Sequence, residues 1–596
     1  MQKKFIAILV ASLFIFCAVV PAFAWTSFQN SNSLNNGLID DGYIYPTSTP
    51  SVNVYYDLTK GAWSGIECSP VVQVENGTPY AYVLHTASSG TKLAKVDLTS
   101  PGTAITGWPA DGIEVNTSGG FQMSTPIIVN DTLYCAGNVF ANIIRDSEFD
   151  VYDSNTFTYW TVTPGTGVTC SQSVISTDNY ALKAEASVAG SYNVTAYQDG
   201  FSISSTQANS IRIAGGIKLT DVSSVTVTVT VNGDDFVFGY NSSDPDAIPL
   251  VLDNGLYIWN ENIQVSSNSA SYMQVYISFT TTAANGSVEL DYAELYKQSA
   301  GIGKIENVST TTTPTYVGVT GDINGQINTP ITSDGTYLYF GTYATNGAYY
   351  GVNINTNNCV PFNMTNNSAY WTGAAVCGDY LVFGTEKGTI YVLNKETMGF
   401  VSSDTLSGSP FIRSSICAIQ NGSDYTLYFT SRTNNSGSLW CYTLDDRGNL
   451  TANWSQDVGY TNSTPTVSGN YVYVGGSAGV KCFDTTSQNT NKLVWSSSTF
   501  ASAITAVQAS PVVYSVTSGD TVTDYIYVTT NQAAGQCYCI SYVHGATSAA
   551  LAWNTNVAQG LQGATYTLQG VAAGKGYLVF GNDYANLIIM HDPGVN

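Results

Sequence analysis

The sequence is poor in charge, and poorest in positive charge. Only 10% of its 596 residues are charged, with 19 Lys and Arg against 42 Asp and Glu, so the formal net charge is −23. Nucleic acids and anionic lipid surfaces are bound by clustered Lys and Arg. The scarcity of basic residues therefore argues against a nucleic-acid partner and favours a neutral or cationic one, such as a glycan or a cell-surface protein.

Residues that commonly carry catalysis are also scarce. The three histidines, His85, His544 and His591, lie far apart in the chain. The sequence contains no Cys-x-x-Cys-His haem site, no phosphate-binding glycine loop and no serine nucleophile elbow. No catalytic residue is predicted, but the question of enzyme activity stays open. The two carboxylates of a glycosidase can come from distant parts of a fold and leave no linear motif.

Long apolar runs are lacking except at the N-terminus. Lys3 and Lys4 precede an apolar run at residues 5–20, which is followed by the small-residue site Ala22-Phe23-Ala24. This pattern is typical of a secretory signal peptide, predicted here as residues 1–24, with an uncleaved membrane anchor as the alternative. Cleavage before Trp25 leaves 17 basic residues against 42 acidic ones, a net charge of −25. We expect a secreted or cell-surface protein with no transmembrane segment after cleavage.

Asn, Ser and Thr are abundant, and with them come acceptor sites for N-glycosylation. A chain of this composition contains many Asn-x-Ser/Thr sites by chance. The alternative to glycosylation is therefore that these sites are not used. Together with export, the pattern is similar to that of archaeal surface glycoproteins. The predicted sites are Asn76, Asn116, Asn130, Asn193, Asn241, Asn285, Asn307, Asn363, Asn366, Asn421, Asn434, Asn449, Asn453 and Asn462.

Ten cysteines remain once Cys17 leaves with the signal peptide. An even number in an exported chain permits disulfides. Cys135 and Cys482 nevertheless stand at strand positions where sister segments carry Phe or Val, which favours buried free thiols there.

A three-part unit recurs along the chain every 40 to 60 residues. It consists of a strand that starts with a small residue and often Pro, an apolar and aromatic strand, and an alternating strand that ends in a polar residue. Short strands separated by Gly, Asn and Asp turns bury their faces by radial packing, which predicts an all-β, eight-bladed β-propeller. The eight unit starts are Ser69-Pro70, Thr125-Pro126, Thr329-Pro330, Gly373-Ala374, Ser414-Ser415-Ile416, Thr464-Pro465, Ser510-Pro511 and Gly570-Val571.

These units resemble the pyrroloquinoline-quinone-type propeller repeat, over residues 25–145 and 299–596. In that family an N-terminal segment often supplies the outer strand that the last blade lacks, and Trp25-Thr26-Ser27-Phe28-Gln29-Asn30 fits the pattern. The resemblance also implies what a quinone-dependent dehydrogenase would require, including an adjacent Cys-Cys pair. No such pair occurs in this sequence, so we expect neither a quinone cofactor nor dehydrogenase activity.

Residues 146–298 interrupt the second repeat and differ from the repeat units in their pattern of apolar and polar residues. Long period-two alternations, as in 225–231 and 272–279, predict a β-sandwich. Its opening and closing segments are similar to galactose-binding-like jelly-roll carbohydrate-binding modules. That resemblance implies a structural calcium held in part by Glu148 and Asp291. The alternative is a solvated pair of carboxylates at strand ends, because two carboxylates alone do not make a calcium site.

The inserted domain also offers a candidate sugar-binding face. Along 272–279 the apolar residues alternate with Tyr272, Gln274, Tyr276 and Ser278, so the second set should face outward. Flat phenol rings beside an amide suit a pyranose. The alternative is ordinary cross-strand packing, and a glycan on Asn193 would share this face. The predicted carbohydrate-binding residues are Tyr272, Gln274, Tyr276, Tyr197, Trp160 and Trp259.

The sequence is compatible with three functions. The first is a non-catalytic binding or scaffold protein whose propeller displays a glycan- or protein-binding module. The second is an exported polysaccharide-degrading enzyme that uses the module as a targeting arm. The third is a structural subunit of a surface layer or sheath, favoured by the glycosylation sites and the acidity.

Overall fold

The computed structural model describes residues 25–30, 33–50, 52–57, 65–87, 90–116, 124–176, 179–203, 211–265, 270–321, 323–533, 535–555, 567–568, 570–584 and 586–592. The predicted signal peptide lies outside these residues. The described chain is nearly all β-strand, and its helical elements are two short 3-10 turns, Phe28–Asn30 and Ser497–Thr499. Among the described residues no helix is long and apolar enough to cross a membrane.

Short antiparallel sheets follow one another along most of the chain. Tight turns join their strands, as at Asn76-Gly77, where both residues have positive φ (48° and 86°), the conformation that matches the twist of a two-residue hairpin. The strands are Val71–Glu75, Thr78–Ala87, Gly90–Asp97 and Ile113–Asn116; Gln326–Ile327, Thr332–Ser333, Tyr337–Tyr343, Ala348–Asn353 and Cys359–Asn363; Ala375–Cys377, Tyr380–Phe383, Thr389–Asn394 and Phe400–Thr405; Cys417–Asn421, Asp424–Arg432, Gly437–Leu444 and Leu450–Asp457.

The C-terminal sheets have the same form, and two of them include a strand from the N-terminal part of the chain. Leu38–Ile39 joins one of these sheets, and Val52–Asp57 joins the last. The strands are Thr466–Ser468, Tyr471–Gly476, Gly479–Asp484 and Leu493–Ser496; Val512–Ser518, Thr521–Thr529, Cys537–Val543 and Ala550–Asn554; Ala572–Gly574, Tyr577–Gly581 and Asn586–His591.

Residues 25–50 lie at a centre that the first strands of these sheets share. The carbonyls of Trp25, Thr26, Ser33 and Leu34 accept hydrogen bonds from the first strands of four different sheets, and Leu38–Ile39 pairs with a fifth. A segment of 15 residues spans at most about 50 Å, so the first strands of these five sheets lie within a short distance of one another. The arrangement is β-propeller-like.

The closing strand is not the one that the sequence predicts. Val52–Asp57 pairs antiparallel with Asn586–His591, from Val52 opposite His591 to Asp57 opposite Asn586. The predicted segment, residues 25–30, instead lies against the inner strands, where Trp25 is 2% and Phe28 5% exposed. The apolar Trp25 and Phe28 are buried more completely at the centre than an outer edge strand would allow.

Two long strands lead from this assembly into the interrupting segment. Thr132–Asn142 and Ser287–Ile305 pair without a break from Leu133 opposite Ile305 to Asn142 opposite Tyr296. Ile127–Val129 and Val317–Thr320 complete the sheet at its propeller end. The third strand of this repeat therefore ends at Ile305, where the sequence pattern places its start, and the domain boundary at residue 298 falls inside a strand.

The interrupting segment forms two sheets around one hydrophobic cluster. Period-two burial along the strands supplies that cluster from both sheets. A small hairpin, Tyr152–Asp153 with Thr156–Phe157, precedes them. The first sheet has the order Thr161–Pro164, Gly190–Ile203, Ala270–Thr281, Val222–Val231, Asp234–Tyr240 and Ile248–Pro249, and the second Val168–Ser176, Asn179–Ala186, Ser287–Ile305, Ile211–Thr220, Leu256–Ile263 and Val251–Asp253.

Cysteine and histidine side chains have structural environments. All ten cysteines of the described chain are free thiols, and Cys135 and Cys482 are fully buried. His85 is buried 2.8 Å from the carbonyl oxygen of Asp111, and burial lowers its pKa. His544 contacts Asp524, and His591 stacks on Tyr577 in a different sheet, so the three histidines do not converge.

Candidate functional site

The outer face of the first sheet of the interrupting segment carries most of the predicted sugar-binding residues. Along Ala270–Thr281 burial alternates, with Met273, Val275, Ile277 and Phe279 at most 1% exposed. Tyr272, Gln274 and Tyr276 are partly exposed on the opposite face. The division into two faces is the one that the alternation predicts, because successive side chains on a strand point to opposite sides.

The strand Gly190–Ile203 brings Tyr197 beside this row. Tyr197 pairs with Gln274, and its ring centroid lies 5.5 Å from that of Tyr272, with 30° between the ring planes. The Tyr197 hydroxyl donates to Asp199 Oδ2 at 3.2 Å. Desolvation and the Asp199 charge raise the pKa of Tyr197. We call Tyr197, Tyr272, Gln274 and Tyr276 the aromatic face.

Threonines extend the aromatic face with hydroxyl groups. Thr230 pairs with Gln274 and Thr228 with Tyr276 on one neighbouring strand, and Thr161 pairs with Tyr197 on the other side. Residues paired across an antiparallel sheet point to the same side, so these hydroxyls lie beside the rings. The face can offer ring surface, an amide and hydroxyls to one ligand.

Trp160 and Trp259 do not belong to this face. Each is 3% exposed and lies in the hydrophobic cluster between the two sheets. Trp160 packs 5.0 Å from Phe149 and donates through Nε1 to the Asp146 carbonyl at 2.9 Å, while Trp259 stacks on Phe238 at 5.9 Å. Their large apolar surfaces fill the core, which corrects the prediction that they widen the sugar platform.

Glu148 and the buried Asp291 lie among other carboxylates of the interrupting segment. The Ala293 amide donates to the Ser147 carbonyl at 3.0 Å, which holds the turn of Glu148 against the strand of Asp291. Burial, and then the charges of neighbouring carboxylates that include Asp291, raise the pKa of Glu148. Across the described residues no group of three or more His, Cys, Asp or Glu side chains is placed to hold a metal ion.

Most predicted glycosylation sites are exposed. The side chain of Asn116 lies outside the described ones. Asn462 is only partly exposed, and its Nδ2 donates to Gln508 Oε1 at 3.2 Å. The exposed acceptors are Asn76, Asn130, Asn193, Asn241, Asn285, Asn307, Asn363, Asn366, Asn421, Asn434, Asn449 and Asn453.

A second cluster, which no local sequence pattern marks, lies at the starts of the repeat units. The small residues of successive units are hydrogen-bonded to one another: the amides of Gly373, Ser415 and Thr464 donate to side-chain hydroxyls of the next unit at 2.9 to 3.0 Å. These hydrogen bonds also bring together the side chains that lie two positions before each unit start. We call Trp371, Arg413, Asn462 and Gln508 the rim cluster, and they line one cavity.

Arg413 anchors the rim cluster. Its Nε and Nη2 donate to the two carboxylate oxygens of Glu386 at 2.8 and 2.6 Å. The guanidinium carbon lies 4.5 Å from the ring centroid of Tyr370, which stacks on Trp371 at 4.8 Å. Trp371 has a φ of 64°, a conformation that residues with a side chain seldom adopt, so the surrounding contacts hold its indole in place.

The repeat itself is the signal that could have revealed this cluster. When Ser415 is aligned with the first residue of the other unit starts, Glu67, Trp371, Arg413, Asn462 and Gln508 fall at one sister position. In a closed arrangement of repeats, sister positions lie on one ring around the axis. The chemistry of that ring is visible only when the units are compared with each other.

No protein-family model and no curated protein matches the chain. Among solved structures it is similar to BamB from Moraxella catarrhalis, with 14% identity over 46% of this chain and 85% of that chain, at a TM-score of 0.29. It is also similar to the computationally designed Ika8 protein, with 13% identity over 49% of this chain and 79% of that chain, at a TM-score of 0.33. TmCBM61 in complex with beta-1,4-galactotriose is 12% identical over 26% of this chain and 99% of that chain, at a TM-score of 0.18.

Proposed function

We propose that this is a secreted or cell-surface binding protein, in which an eight-bladed propeller displays a carbohydrate-binding jelly roll. The observation that carries the proposal is the aromatic face, where two tyrosine rings 5.5 Å apart flank a partly exposed amide on a rigid sheet. A ring of this kind covers the apolar face of a pyranose while Gln274 hydrogen-bonds its hydroxyls. Cross-strand pairing fixes the rings without a ligand, which reduces the entropy lost on binding.

The number of sheets in the described residues supports a propeller of eight blades. Seven sheets each contain strands from one repeat unit, and the sheet of Ile127–Val129 contains the eighth, whose second and third strands continue into the inserted domain. Radially packed sheets of this kind leave short edges and a rigid body. The jelly roll is then held by two paired strands, which fixes the direction in which its aromatic face points.

Saccharide titration of the mature chain tests the proposal. We expect a Tyr272→Ala, Tyr276→Ala double variant to lose binding to a glycan that the unmodified chain binds, because it removes the ring surface and leaves the core intact. Tyr159→Ala, at a tyrosine 42% exposed outside this face, is the matched control and should bind normally. Absence of saccharide binding across a broad glycan array, or equal binding by the double variant, would contradict the proposal.

We further propose that calcium stabilises the inserted domain at Glu148 and Asp291. Asp291 Oδ1 and Asp146 Oδ2 are buried without a hydrogen-bond partner, and a cation would compensate these oxygens together with backbone carbonyls. Calcium should raise the melting temperature of the mature chain relative to EDTA, and Asp291→Asn should remove this increase. Asp253→Asn, at an exposed position, is the control. An equal melting temperature with calcium and with EDTA would contradict the site.

A second candidate function is cleavage of a polysaccharide. Glu67 precedes the strand Val71–Glu75 and Asp583 follows the strand Tyr577–Gly581 of another sheet. The two residues lie close together, since the Ile66 amide donates to the Asn582 carbonyl at 2.8 Å. Burial, with a contribution from Asp583, raises the pKa of Glu67 to about 8, which suits a general acid at neutral pH. Release of reducing ends by the mature chain, lost in Glu67→Gln, would support this function. Undetectable release across a polysaccharide panel would argue against it.

A further inference from the structure

Arg432 is a buried cation without a carboxylate partner. It is 6% exposed, and its Nε donates to Asn462 Oδ1 at 2.6 Å. Its guanidinium carbon lies 4.4 Å from the ring centroid of Tyr460. Among the described residues no carboxylate lies within 4.0 Å of it, whereas Arg413 is paired with Glu386. Burying a charge is unfavourable unless a counter-charge compensates it.

The surroundings of Arg432 therefore carry an excess of positive charge. Two positively charged guanidinium groups, those of Arg413 and Arg432, are balanced by only one carboxylate, that of Glu386. Burial and the neighbouring Arg413 lower the pKa of Arg432. Glu67, which influences Tyr370 beside the cluster, does not supply the missing negative charge at pH 7, because its own pKa is raised to about 8. In a chain with a net charge of −23, a local positive excess is a distinctive feature.

The cavity in front of Arg432 has a volume of about 20 Å³, which has room for a carboxylate group but not for a whole sugar ring. Asn462 separates Arg432 from it, and the amides of Asn462 and Gln508, the Arg413 guanidinium and the Trp371 indole line it. Phe28, from the central N-terminal segment, contributes to the same lining, so the cavity lies at one end of the propeller-like centre. The cavity combines positive charge, amide groups and an indole ring.

We propose that the rim cluster binds the carboxylate of a sugar acid, such as a uronic acid residue of a glycan. Guanidinium groups recognise carboxylates through charge-assisted hydrogen bonds. Arg413 lines the cavity, and its Nη1 is not engaged by Glu386, whereas Arg432 lies behind Asn462 and adds positive charge. The amides of Asn462 and Gln508 and the indole of Trp371 then lie nearest to the part of the sugar that adjoins the carboxylate. The two guanidinium groups supply the charge that selects an acidic ligand over a neutral one. This site is separate from the aromatic face and does not depend on the function proposed for it.

Calorimetric titration of the mature chain, produced in a bacterial host, tests the charge requirement. The probes are sodium glucuronate, its neutral methyl ester, glucose and sodium acetate. We expect glucuronate to bind about 10- to 100-fold more tightly than the ester or glucose, since a hydrogen bond to a charged group contributes about 1.5–3 kcal/mol. Absence of glucuronate binding, equal binding of the ester, or equal binding of acetate would overturn the proposal.

Variants of the chain test the location. Asn462→Asp places a carboxylate beside Arg432 Nε, so it should abolish glucuronate binding while raising the melting temperature. Arg432→Gln should weaken binding at least tenfold, and Arg447→Gln, at an exposed arginine in a turn, is the matched control. Tyr159→Ala, at an exposed position outside both sites, should leave glucuronate binding unchanged. Undiminished binding by a folded Asn462→Asp variant would overturn the proposal even if Arg432→Gln failed to fold.

Discussion

The raised pKa of the Glu67 carboxyl leads to a quantitative prediction of how the free energy of unfolding changes with pH. Burial is the main cause that raises its pKa from 4.5 to about 8, and Glu67 Oε2 has no hydrogen-bond partner in the described structure. In the unfolded chain the group ionises near its ordinary value. Between pH 4.5 and 8 the folded protein therefore holds a proton that the unfolded chain has released, so the stability contributed by this group falls as pH rises.

The size of the effect follows from the two pKa values. A tenfold change in proton affinity corresponds to about 1.4 kcal/mol, so a rise from 4.5 to about 8 corresponds to about 5 kcal/mol. Glu67→Gln replaces the carboxyl with an amide of similar shape that does not ionise. The variant should match the unmodified chain near pH 4.5 and exceed its free energy of unfolding increasingly up to pH 8, by at most about 5 kcal/mol.

Urea unfolding at a series of pH values between 4.5 and 8 measures this difference. Subtraction of the two curves removes the contributions of other titrating groups, because both chains share them. Glu396→Gln, at an exposed position, is the control and should show a difference that does not change with pH. A difference between Glu67→Gln and the unmodified chain that is the same at pH 5 and pH 8 would refute the reasoning.

Three further substitutions test the structure. Asp524→Asn should destabilise the protein by about 3 kcal/mol in urea unfolding, because the fully buried carboxylate accepts from Tyr473 and contacts His544 at 2.6 and 2.8 Å. Asn35→Ala should lower stability by about 2 kcal/mol, since two hydrogen bonds from its Nδ2 hold the central segment, and an unchanged urea midpoint would speak against that role. Trp259→Ala should destabilise the inserted domain by about 3–5 kcal/mol yet leave saccharide affinity unaltered; a selective loss of affinity would return this residue to the binding face.

Much of the fold could be predicted from the sequence because the signals are local. Small-residue starts, short alternating strands and Gly or Asn turns recur along the chain, and local chemistry fixes strand and turn alike. The alternation along residues 272–279 likewise determines which side chains are buried, since a strand has only two faces. The buried thiols of Cys135 and Cys482 follow from comparison with their sister positions.

Tertiary structure alone decided what depends on contacts between distant segments. Trp160 and Trp259 have aromatic sequence signals that fit a platform or a core equally well, and only the packing of two sheets places them inside. Residues 25–30 fit an edge-strand pattern, yet Trp25 and Phe28 are buried at the centre of the sheets. The strand that pairs with Asn586–His591 in the last sheet is Val52–Asp57 instead. Arg432 and Asn462 are 30 residues apart and meet at 2.6 Å because neighbouring sheets bring them together, which no local pattern records.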